Sequence, residues 1–445
     1  MKYTVIGAAR SGVAAAILAA GRGHDVFVSE AKPRGETEAA ADALDKAGIE
    51  AEFGGNSDKC YDCDVIIASP GIPPTAPVIL EAESRGISII SELEFAAAQI
   101  NNPIIAITGT NGKTTTTALT EFLLRNSCRK AIAVGNIGTA LSAVVDRLEP
   151  DTIVVAEVSS FQLDRIVDFR PDVAIITNIT PDHIGYHGSM EKYIEAKLKI
   201  TKNQTKDDLL ILNFDDETCR AMAAKSRARI AYFSMESHVD WGIRNVGGRM
   251  NIISDKQHEG ETIMLFEEIK IPGVHNAYNS MAAALAARAF EVSNENIRDS
   301  LMKFAGVEHR LEFVRTFEGV DYINDSKATN VNATWYALRS YRRPVIWIAG
   351  GRGDNNEYSQ LAEAVDQNVK AIVAIGEERD AIFNYFCTRR RCIKADSLAD
   401  AVREARELAD YGDVVLFTPA CKSFDMFMNY EHRGEVYKEI VFSLD

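Results

Sequence analysis

The sequence predicts an α/β protein whose parallel sheets are distributed over three domains. Short apolar runs alternate with helical patterns along the whole 445-residue chain. The alternation restarts twice, near Pro103 and near Gly306, each time with an apolar run followed by a helix-forming segment. Repeated strand–helix–strand units are typical of parallel sheets covered by helices, and a chain of this length has room for about two to four domains.

The first domain is predicted over residues 1–92. It begins with an apolar strand from Tyr3 to Gly7, which an Ala-rich helix from Ser11 to Arg22 follows. A second strand runs from Asp25 to Ser29, and a further apolar run from Val65 to Ser69 stops at Pro70-Gly71. This order of elements predicts a β-α-β unit with parallel strands.

The second domain, residues 93–306, and the third, residues 307–445, repeat the pattern. Their predicted strands are 103–108, 152–156, 173–177, 208–212, 345–349, 371–375 and 414–418, and an Ala-rich helix is predicted at 277–291. The sequence contains no repeat of solenoid spacing and no low-complexity linker. The domain boundaries are therefore placed where the alternation restarts.

Composition excludes several classes of function. The net charge of −15 disfavours a nucleic-acid-binding protein and a protein that docks on anionic lipid, because both need a basic surface. No apolar run reaches the ~20 residues of a membrane span. Seven scattered cysteines, an odd number, fit a reducing compartment better than a disulfide framework. We expect a cytoplasmic monomer that acts on small molecules.

A phosphate-binding loop is predicted at residues 108–115, Thr-Gly-Thr-Asn-Gly-Lys-Thr-Thr, between a strand and a helix. Glycines let backbone N–H groups face phosphates, and a helix N-terminus favours negative charge. Lys113 can reach the β- and γ-phosphates, and the Thr114 hydroxyl can bind Mg²⁺. The usual first glycine would fall at Ile107, so the loop starts instead at Gly109. A chance Gly-Lys-Thr at a strand–helix turn is the alternative interpretation.

Candidate Mg²⁺ ligands follow two further strands. Glu157 comes directly after strand 152–156, and Asp182-His183 follows strand 173–177. Ligands of α/β sheets bind at these carboxyl ends, and an ATP-bound Mg²⁺ takes oxygen ligands. Lys197 lies in a predicted helix. Taken singly, Glu157 could be a surface acid, His183 a loop histidine and Lys197 a solvated lysine.

In their order along the chain, these segments resemble the Mur ligase family, which includes the folylpolyglutamate synthases. The resemblance covers nearly the whole sequence. It rests on the phosphate loop, on the segment from Glu157 to Leu163 (EVSSFQL), on the segment from Asn324 to Asn330 (NDSKATN) and on residues 418–434. It implies a Rossmann-like first domain, a central P-loop ATPase-like domain and a Rossmann-like last domain.

The resemblance also implies an activity, the ATP-dependent formation of an amide bond through an acyl phosphate. The segments are most similar to the branch that adds D-glutamate to UDP-N-acetylmuramoyl-L-alanine for the bacterial cell wall. The branch that adds the third residue typically has His where Phe161 stands and carries an Asp-Asn-Pro-Arg motif that this sequence lacks.

Roles for individual residues are implied by the same resemblance. ATP would be bound by Gly109, Thr110, Asn111, Gly112, Lys113, Thr114, Thr115, Asn279, Arg310 and Asp325. Two Mg²⁺ ions would be bound by Thr114, Glu157, His183 and a carbamylated Lys197. The UDP-linked substrate would contact Arg10, Ser11, Ser69, Pro70, Gly71, Asn136 and Gln162. D-Glutamate would contact Lys327, Thr329, Ser423, Phe424 and Tyr430. The catalytic residues would be Lys113, Lys197, His183 and Lys327.

The sequence departs from the family pattern in two places. Ala9 stands where a Gly-x-Gly loop would have its second glycine. After Gly350-Gly351 the family commonly has a Lys that meets the incoming amino acid, whereas residues 352–356 read Arg-Gly-Asp-Asn-Asn. Either Arg352 substitutes for that Lys, or Lys327 binds the carboxylate alone. The base that deprotonates the incoming amine is left unassigned.

Three other functions compete with this interpretation. An NAD-dependent oxidoreductase would use the loop from Gly7 to Gly12 and Glu30 as a ribose-binding acid, but it leaves the second phosphate loop unexplained. A non-catalytic ATP-binding regulator could share the fold, since fold does not determine function. A sister ligase would take a different amino acid, and residues 418–434 would discriminate it.

Overall fold

The computed structural model describes residues 1–136, 138–182, 184–253, 260–353 and 356–445. These residues form helices and three sheets, which confirms the predicted α/β class. They divide into two compact units: the first contains Met1–Glu268 and Tyr278–Met302, and the second contains Ile269–Ala277 and Lys303–Asp445. His183, predicted as a metal ligand and catalytic residue, lies outside the described residues, as do Asp354 and Asn355.

The first sheet has five strands, all parallel, in the order β3-β2-β1-β4-β5. The strands are β1 (Lys2–Ile6), β2 (Asp25–Glu30), β3 (Glu50–Phe53), β4 (Val65–Ala68) and β5 (Ser88–Ser91), and the helices are α1 (Arg10–Gly21), α2 (Glu38–Lys46), α3 (Pro77–Ser84) and α4 (Glu92–Ala97). Ala15 and Ala16 of α1 are fully buried. Their small side chains let the helix pack closely on the sheet, and the helix itself was predicted from the Ala-rich pattern.

The second sheet has nine strands in the order β14-β13-β12-β11-β10-β9-β6-β8-β7. The strands are β6 (Ile104–Thr108), β7 (Ala131–Gly135), β8 (Ile153–Glu157), β9 (Val173–Ile176), β10 (Leu209–Asn213), β11 (Arg229–Ser234), β12 (Gly242–Val246), β13 (Arg249–Ile253) and β14 (Glu261–Leu265). The helices along this part of the chain are α5 (Lys113–Asn126), α6 (Ser160–Leu163), α7 (Ile184–His187), α8 (Met190–Leu198), α9 (Glu217–Met222), α10 (Val274–Ala289) and α11 (Asn294–Lys303).

The antiparallel edge of this sheet was not predicted. Strands β12, β13 and β14 pair antiparallel, and the other pairs are parallel. Gly247 and Gly248 join β12 to β13 with φ values of 59° and 82°. Two successive glycines with positive φ match the twist of a tight hairpin, so this pair was the available signal in the sequence.

The third sheet has six strands in the order β15-β16-β20-β17-β18-β19. The strands are β15 (Glu312–Phe317), β16 (Val320–Asn324), β17 (Val345–Gly350), β18 (Val369–Ile375), β19 (Arg391–Lys394) and β20 (Val414–Phe417), and the helices are α12 (Val331–Leu338), α13 (Ala362–Asn368), α14 (Arg379–Phe386), α15 (Leu398–Leu408) and α16 (Tyr430–Phe442). Only β15 pairs antiparallel to its neighbour among these strands. Buried Trp347 anchors the core, and its Nε1 donates to the carbonyl of Thr418 at 2.8 Å.

The first two sheets belong to the same compact unit, and a buried carboxylate links them. Glu94 of α4 accepts the backbone N–H groups of Val167, Asp168 and Phe169 at 2.9, 2.8 and 2.9 Å. The predicted boundary at 92/93 lies at the start of this helix, and the exact domain boundaries stay predictions. In the described part of the chain, every helix is too short or too polar to cross a lipid bilayer.

Candidate active site

The predicted phosphate loop connects β6 to α5, and its two glycines adopt backbone conformations that other residues rarely adopt. Gly109 has φ +142° and Gly112 has φ +83°. A Cβ at Gly109 would collide with Oγ1 of Thr177, and one at Gly112 would collide with Oδ1 of Asn279. Glycine is therefore required at both positions by backbone conformation and by the space available.

Residues after β9 hold this loop in place. The carbonyl of Asn178 accepts the N–H of Thr110 at 2.8 Å, and its Oδ1 accepts the N–H of Asn111 at 2.9 Å. Thr177 Oγ1 donates to the carbonyl of Asn111 at 2.6 Å. Thr177 and Asn178 were not predicted as site residues, although two polar residues directly after a buried strand were a usable signal.

Lys113 begins α5 and turns back over the loop. Its Nζ donates to the carbonyls of Gly109 and Thr110 at 3.0 and 2.8 Å. The first N–H groups of a helix have no acceptor within the helix, so those of the first turn of α5 can bind an anion. Thr114 and Thr115 follow in that turn and are buried. The loop thus combines a cation, helix N–H groups and a hydroxyl, which suits phosphate and Mg²⁺.

Glu157 ends β8 and is 2% exposed. Its Oε1 accepts the side-chain N–H of Asn136 at 3.0 Å. Its Oε2 is buried and accepts no hydrogen bond from any of the described residues. A buried carboxylate oxygen without a partner is costly, and a hard divalent cation such as Mg²⁺ would satisfy it. Glu157 and the Thr114 hydroxyl therefore fit the donor set that Mg²⁺ prefers.

Lys197 of α8 is buried at 2% exposure, and its Nζ donates to the carbonyl of Gly109 at 2.7 Å. The ammonium also lies 4.6 Å from the ring centroid of Tyr193. Burial, and then the nearby charge of Lys113, lower the pKa of Lys197 well below its ordinary value. The lowered pKa makes the unprotonated amine, which is a nucleophile, more accessible here than in a solvated lysine.

Three residues predicted to bind ATP outside the loop are divided between the two units. Asn279 lies in the first unit, where its Oδ1 accepts the Thr116 hydroxyl at 3.3 Å. Arg310 and Asp325 lie in the second unit. Asp325 is buried, accepts the Thr418 hydroxyl at 2.8 Å, and has its pKa raised to about 7 by burial, which the charge of Arg310 opposes.

The residues predicted to contact D-glutamate belong to the second unit. The Nζ of Lys327 lies 5.2 Å from the ring centroid of Tyr430. Ser423 is buried, whereas Phe424 is 58% exposed. Thr329 follows Lys327 in a turn, with its N–H donating to the Lys327 carbonyl at 2.9 Å.

Arg433, which was not predicted as a site residue, joins the two segments that supply these residues. It is 1% exposed and donates to the carbonyl of Ser326 at 2.7 Å, to the Ser326 hydroxyl at 3.0 Å and to the carbonyl of Cys421 at 3.0 Å. A buried arginine must have such acceptors. Arg433 could have been predicted from its position in residues 418–434, one of the segments that carry the family resemblance.

Arg352 follows Gly350-Gly351, where the family commonly has a Lys. Its guanidinium binds the Glu377 carboxylate through two hydrogen bonds of 3.0 and 2.8 Å. Its backbone pairs with that of Lys422 through two hydrogen bonds of 2.8 and 2.9 Å. The Arg352 side chain is therefore already engaged by an acidic partner.

The residues predicted to contact the UDP-linked substrate all lie in the first unit. Arg10 Nη1 donates to the carbonyl of Gly138 at 3.3 Å, and Ser69 Oγ donates to the carbonyl of Gly7 at 2.9 Å. Ser11 is the second residue of α1, and Pro70 and Gly71 follow β4. The carboxylate of Glu30 accepts the N–H of Ala8 at 2.6 Å. The acid that the oxidoreductase interpretation assigns to a ribose is therefore hydrogen-bonded to the loop from Gly7 to Gly12.

Gln162 is buried and its Oε1 accepts the N–H of Ser159 at 3.0 Å, which forms a capping box at the start of α6. The amide of Asn136 is held by Glu157, as described above. Strands β7 and β8 are neighbours. Asn136 directly follows β7, Glu157 ends β8, and Gln162 lies in α6, which comes after β8.

Comparison with known proteins agrees with this arrangement. Residues 107–287 match the family model of the Mur ligase middle domain, residues 309–421 match the Mur ligase, glutamate ligase domain, and residues 5–78 match the MurD N-terminal domain. Together these three models span most of the chain.

Two similar proteins are named UDP-N-acetylmuramoylalanine–D-glutamate ligase. The one from Salinibacter ruber is 44% identical over 454 residues, covering 100% of this chain and 98% of that protein. The one from Chloroherpeton thalassium is 42% identical over 460 residues with the same coverage.

Among solved structures, UDP-N-acetylmuramate-alanine ligase MurC from Thermotoga maritima aligns with a TM-score of 0.62 at 21% identity, covering 100% of this chain and 99% of the other. A pseudomurein peptide ligase type C from Methanothermus fervidus aligns with a TM-score of 0.62 at 20% identity over 100% of both chains. At this identity the likeness concerns the fold, which is the three-domain architecture of these ligases. From its family models, its full-length relatives and its fold, the chain belongs to the Mur ligase family of ATP-dependent, amide-forming ligases.

Proposed function

We propose that this protein joins D-glutamate to UDP-N-acetylmuramoyl-L-alanine, with conversion of ATP to ADP and phosphate, in peptidoglycan precursor synthesis. The observation that carries the proposal is that Lys113 and Lys197 both donate to the carbonyl of Gly109 in the phosphate loop, with the Glu157 carboxylate near enough to act on the charge of Lys197. Relatives that match the whole chain are named for this reaction. The segment from Asn324 to Asn330 and residues 418–434 resemble the D-glutamate-adding branch of the family, which supports D-glutamate as the amino acid that is added.

The chemical problem is that a carboxylate is a poor electrophile. Transfer of the γ-phosphoryl group of ATP to the carboxylate of the UDP-linked substrate forms an acyl phosphate and ADP. The amine of D-glutamate then attacks the acyl carbon, the C–O bond to phosphate breaks, and the amide and inorganic phosphate are released after the amine loses a proton. Negative charge accumulates throughout, so positioning and electrostatic stabilisation dominate catalysis.

The first-unit residues supply that stabilisation in our proposal. Lys113 and the N–H groups at the start of α5 bind the phosphates, with Thr115 completing the first turn. Thr114 and Glu157 would hold one Mg²⁺, which would supply positive charge beside the nucleotide and the transferred group. A second Mg²⁺, and His183 as its ligand, rest on the family resemblance.

Lys197 is proposed to carry a carbamate. Its neutral amine adds through nitrogen to the carbon of CO₂ and loses a proton, which gives an N-carboxylate. This product has anionic oxygens that can bind Mg²⁺ in a place where an ammonium cannot. The depressed pKa of Lys197 supports this step, because only the unprotonated amine reacts.

For D-glutamate, the proposed contacts are Lys327, Thr329, Ser423, Phe424 and Tyr430. Between the two alternatives for the missing Lys, we favour Lys327 as the partner of the amino-acid carboxylate. The reason is that the guanidinium of Arg352 is already paired with Glu377 through two hydrogen bonds. The domains 1–92, 93–306 and 307–445 are proposed to bind the UDP end, ATP and the amino acid in turn.

The deciding experiment measures phosphate release from ATP and Mg²⁺ with UDP-N-acetylmuramoyl-L-alanine. Parallel reactions receive D-glutamate, L-glutamate, L-lysine or meso-diaminopimelate. Release with D-glutamate alone is expected. Release with a different amino acid would retain the ligase and overturn the proposed pocket, and no release with any of the four would overturn the proposed substrates.

A further inference from the structure

A chain of polar contacts joins half-buried Asp164 to buried His187 and Ser160 in the first unit. Ser160 Oγ is 2.9 Å from His187 Nε2, and Asp164 Oδ2 is 3.5 Å from His187 Nδ1. Ser160 and His187 are 2% and 8% exposed. A carboxylate beside Nδ1 favours a proton on that nitrogen, so that Nε2 accepts the Ser160 hydroxyl. Lys199 pairs with the other oxygen of Asp164 at 2.8 Å.

The three side chains connect segments that follow two different strands. Ser160 begins α6, three residues after Glu157 at the end of β8. His187 ends α7, which comes soon after Asp182 and β9. The imidazole therefore links the segment that follows Glu157, one proposed Mg²⁺ ligand, to the segment that follows β9.

An aromatic contact extends this link to the phosphate loop. The ring of Tyr193 lies 5.4 Å from the imidazole of His187, centroid to centroid. The Tyr193 hydroxyl lies 3.0 Å from Oγ1 of Thr110, and the ammonium of Lys197 lies over the same ring. Phe161 stacks on the other side of the network, with its ring 5.6 Å from the imidazole at an interplanar angle of 13°.

Ser160, His187 and Asp164 contact one another in the order of a Ser-His-Asp catalytic triad, but the burial of Ser160 argues against its acting as a nucleophile. Ser160 is almost inaccessible, and the neighbouring capping box of Ser159 and Gln162 fixes the start of its helix. Its hydroxyl is therefore shielded from substrate in this structure. The network instead resembles the hydrogen bonds around metal sites, which commonly fix the orientation of the metal ligands.

We infer that Asp164, His187 and Ser160 are positioning residues that hold the segments after β8 and β9 at the spacing required for binding of Mg²⁺ with nucleotide. The inference rests on the proposed function, since that proposal assigns the metal to these segments. It adds residues whose effect is transmitted through Tyr193, which contacts Thr110 and Lys197, and along the chain from Ser160 to Glu157, rather than by contact with substrate.

The test is calorimetric binding of a non-hydrolysable ATP analogue, with and without Mg²⁺, to the full-length protein. His187→Ala and Ser160→Ala are each expected to weaken Mg²⁺-dependent binding about tenfold or more, as loss of an orienting partner does at metal sites. Binding without Mg²⁺ should change much less. His187→Gln, whose amide oxygen can accept the Ser160 hydroxyl, should recover part of the loss. The double variant should lose little more than either single variant.

His238→Ala is the matched control, because His238 is an exposed histidine, with its side chain 67% accessible, in the same unit. Equal loss with and without Mg²⁺, or no loss in a variant that melts normally, would overturn the inference. Ser160→Ala removes a single oxygen, so it decides the question if His187→Ala does not fold. If the wild-type protein binds no nucleotide with Mg²⁺, the proposed function is overturned as well. If Glu157→Gln loses Mg²⁺-dependent binding while the His187 and Ser160 variants keep it, only this inference is overturned and the proposed function stands.

Discussion

Lys113 and Lys197 donate to the same oxygen, the backbone carbonyl of Gly109, at 3.0 and 2.7 Å. Two amines that share one acceptor repel each other when both are charged, and Lys197 is the more deeply buried of the two. The conflict is resolved by a lowered pKa of Lys197, to which burial contributes most and the charge of Lys113 next. In our proposal the two lysines have different chemical roles.

The first prediction concerns carbamylation of Lys197. Lys197→Ala is expected to lose most of its phosphate-release activity, and added short carboxylates should restore part of it, because they can supply the missing oxygen ligands. Activity of the wild type should fall as pH decreases through the lowered pKa of Lys197, since the protonated amine cannot react with CO₂. A carbon-13 signal from labelled bicarbonate, present in the wild type and absent in the variant, checks the adduct directly. Unchanged activity in Lys197→Ala would contradict the role.

The second prediction concerns the charge of Lys113. Lys113→Ala is expected to reduce the rate of phosphate release about 100-fold or more, because it removes a preorganised cation from the transferred phosphoryl group. The pKa of Lys197 should rise in the same variant, since a neighbouring positive charge is gone. Steady-state rates and the pH dependence of lysine modification measure the two effects. Lys192→Ala, at an exposed position of α8, is the control and should retain normal activity.

The third prediction concerns the pH dependence of stability at Asp325. Its folded-state pKa is raised to about 7 by burial, while an unfolded Asp titrates near ~3.9. Stability from this residue is therefore fully present below the unfolded value and is lost as pH rises through the folded value. Asp325→Asn should gain stability relative to the wild type as pH rises from about 4 to about 7, approaching a difference of about 4 kcal/mol at most.

Urea unfolding of both proteins at pH 5 and pH 8 measures this difference. Parallel pH profiles for wild type and variant would contradict the raised pKa. The variant is also expected to bind ATP more weakly, because Asp325 is among the residues proposed to contact the nucleotide.

The fourth prediction concerns Arg433, whose pKa burial lowers to about 10. Arg433→Ala should destabilise the protein by about 3 kcal/mol or more, because it leaves acceptors on Ser326 and Cys421 unsatisfied in a buried place. Arg433→Lys should recover little, since a single ammonium lacks the planar fork that spans both segments. Thermal or urea unfolding is the measurement. Arg403→Ala, at an exposed arginine of α15, should stay within ~0.5 kcal/mol of the wild type.

Prediction from sequence succeeded where the signal was local. Apolar runs marked β1, β6, β8 and the principal strands of the third sheet, because a strand buried on both faces is apolar along its length. The phosphate loop was found because Gly112-Lys113-Thr114 stands between such a strand and a helix. The β12–β13 hairpin was missed, because its strands are partly exposed and polar and lack a continuous apolar pattern.

The sequence by itself determined the α/β class, the position of the phosphate loop and the resemblance to the Mur ligases, because hydrophobic patterning and short motifs depend on neighbouring residues. Only the tertiary structure decided that Asn178 holds the loop, that Glu157 presents a buried oxygen without a hydrogen bond, and that the pKa of Lys197 is depressed. Hydrogen bonding, burial and charge at these positions depend on groups that folding brings from distant parts of the chain, and no local pattern records that approach.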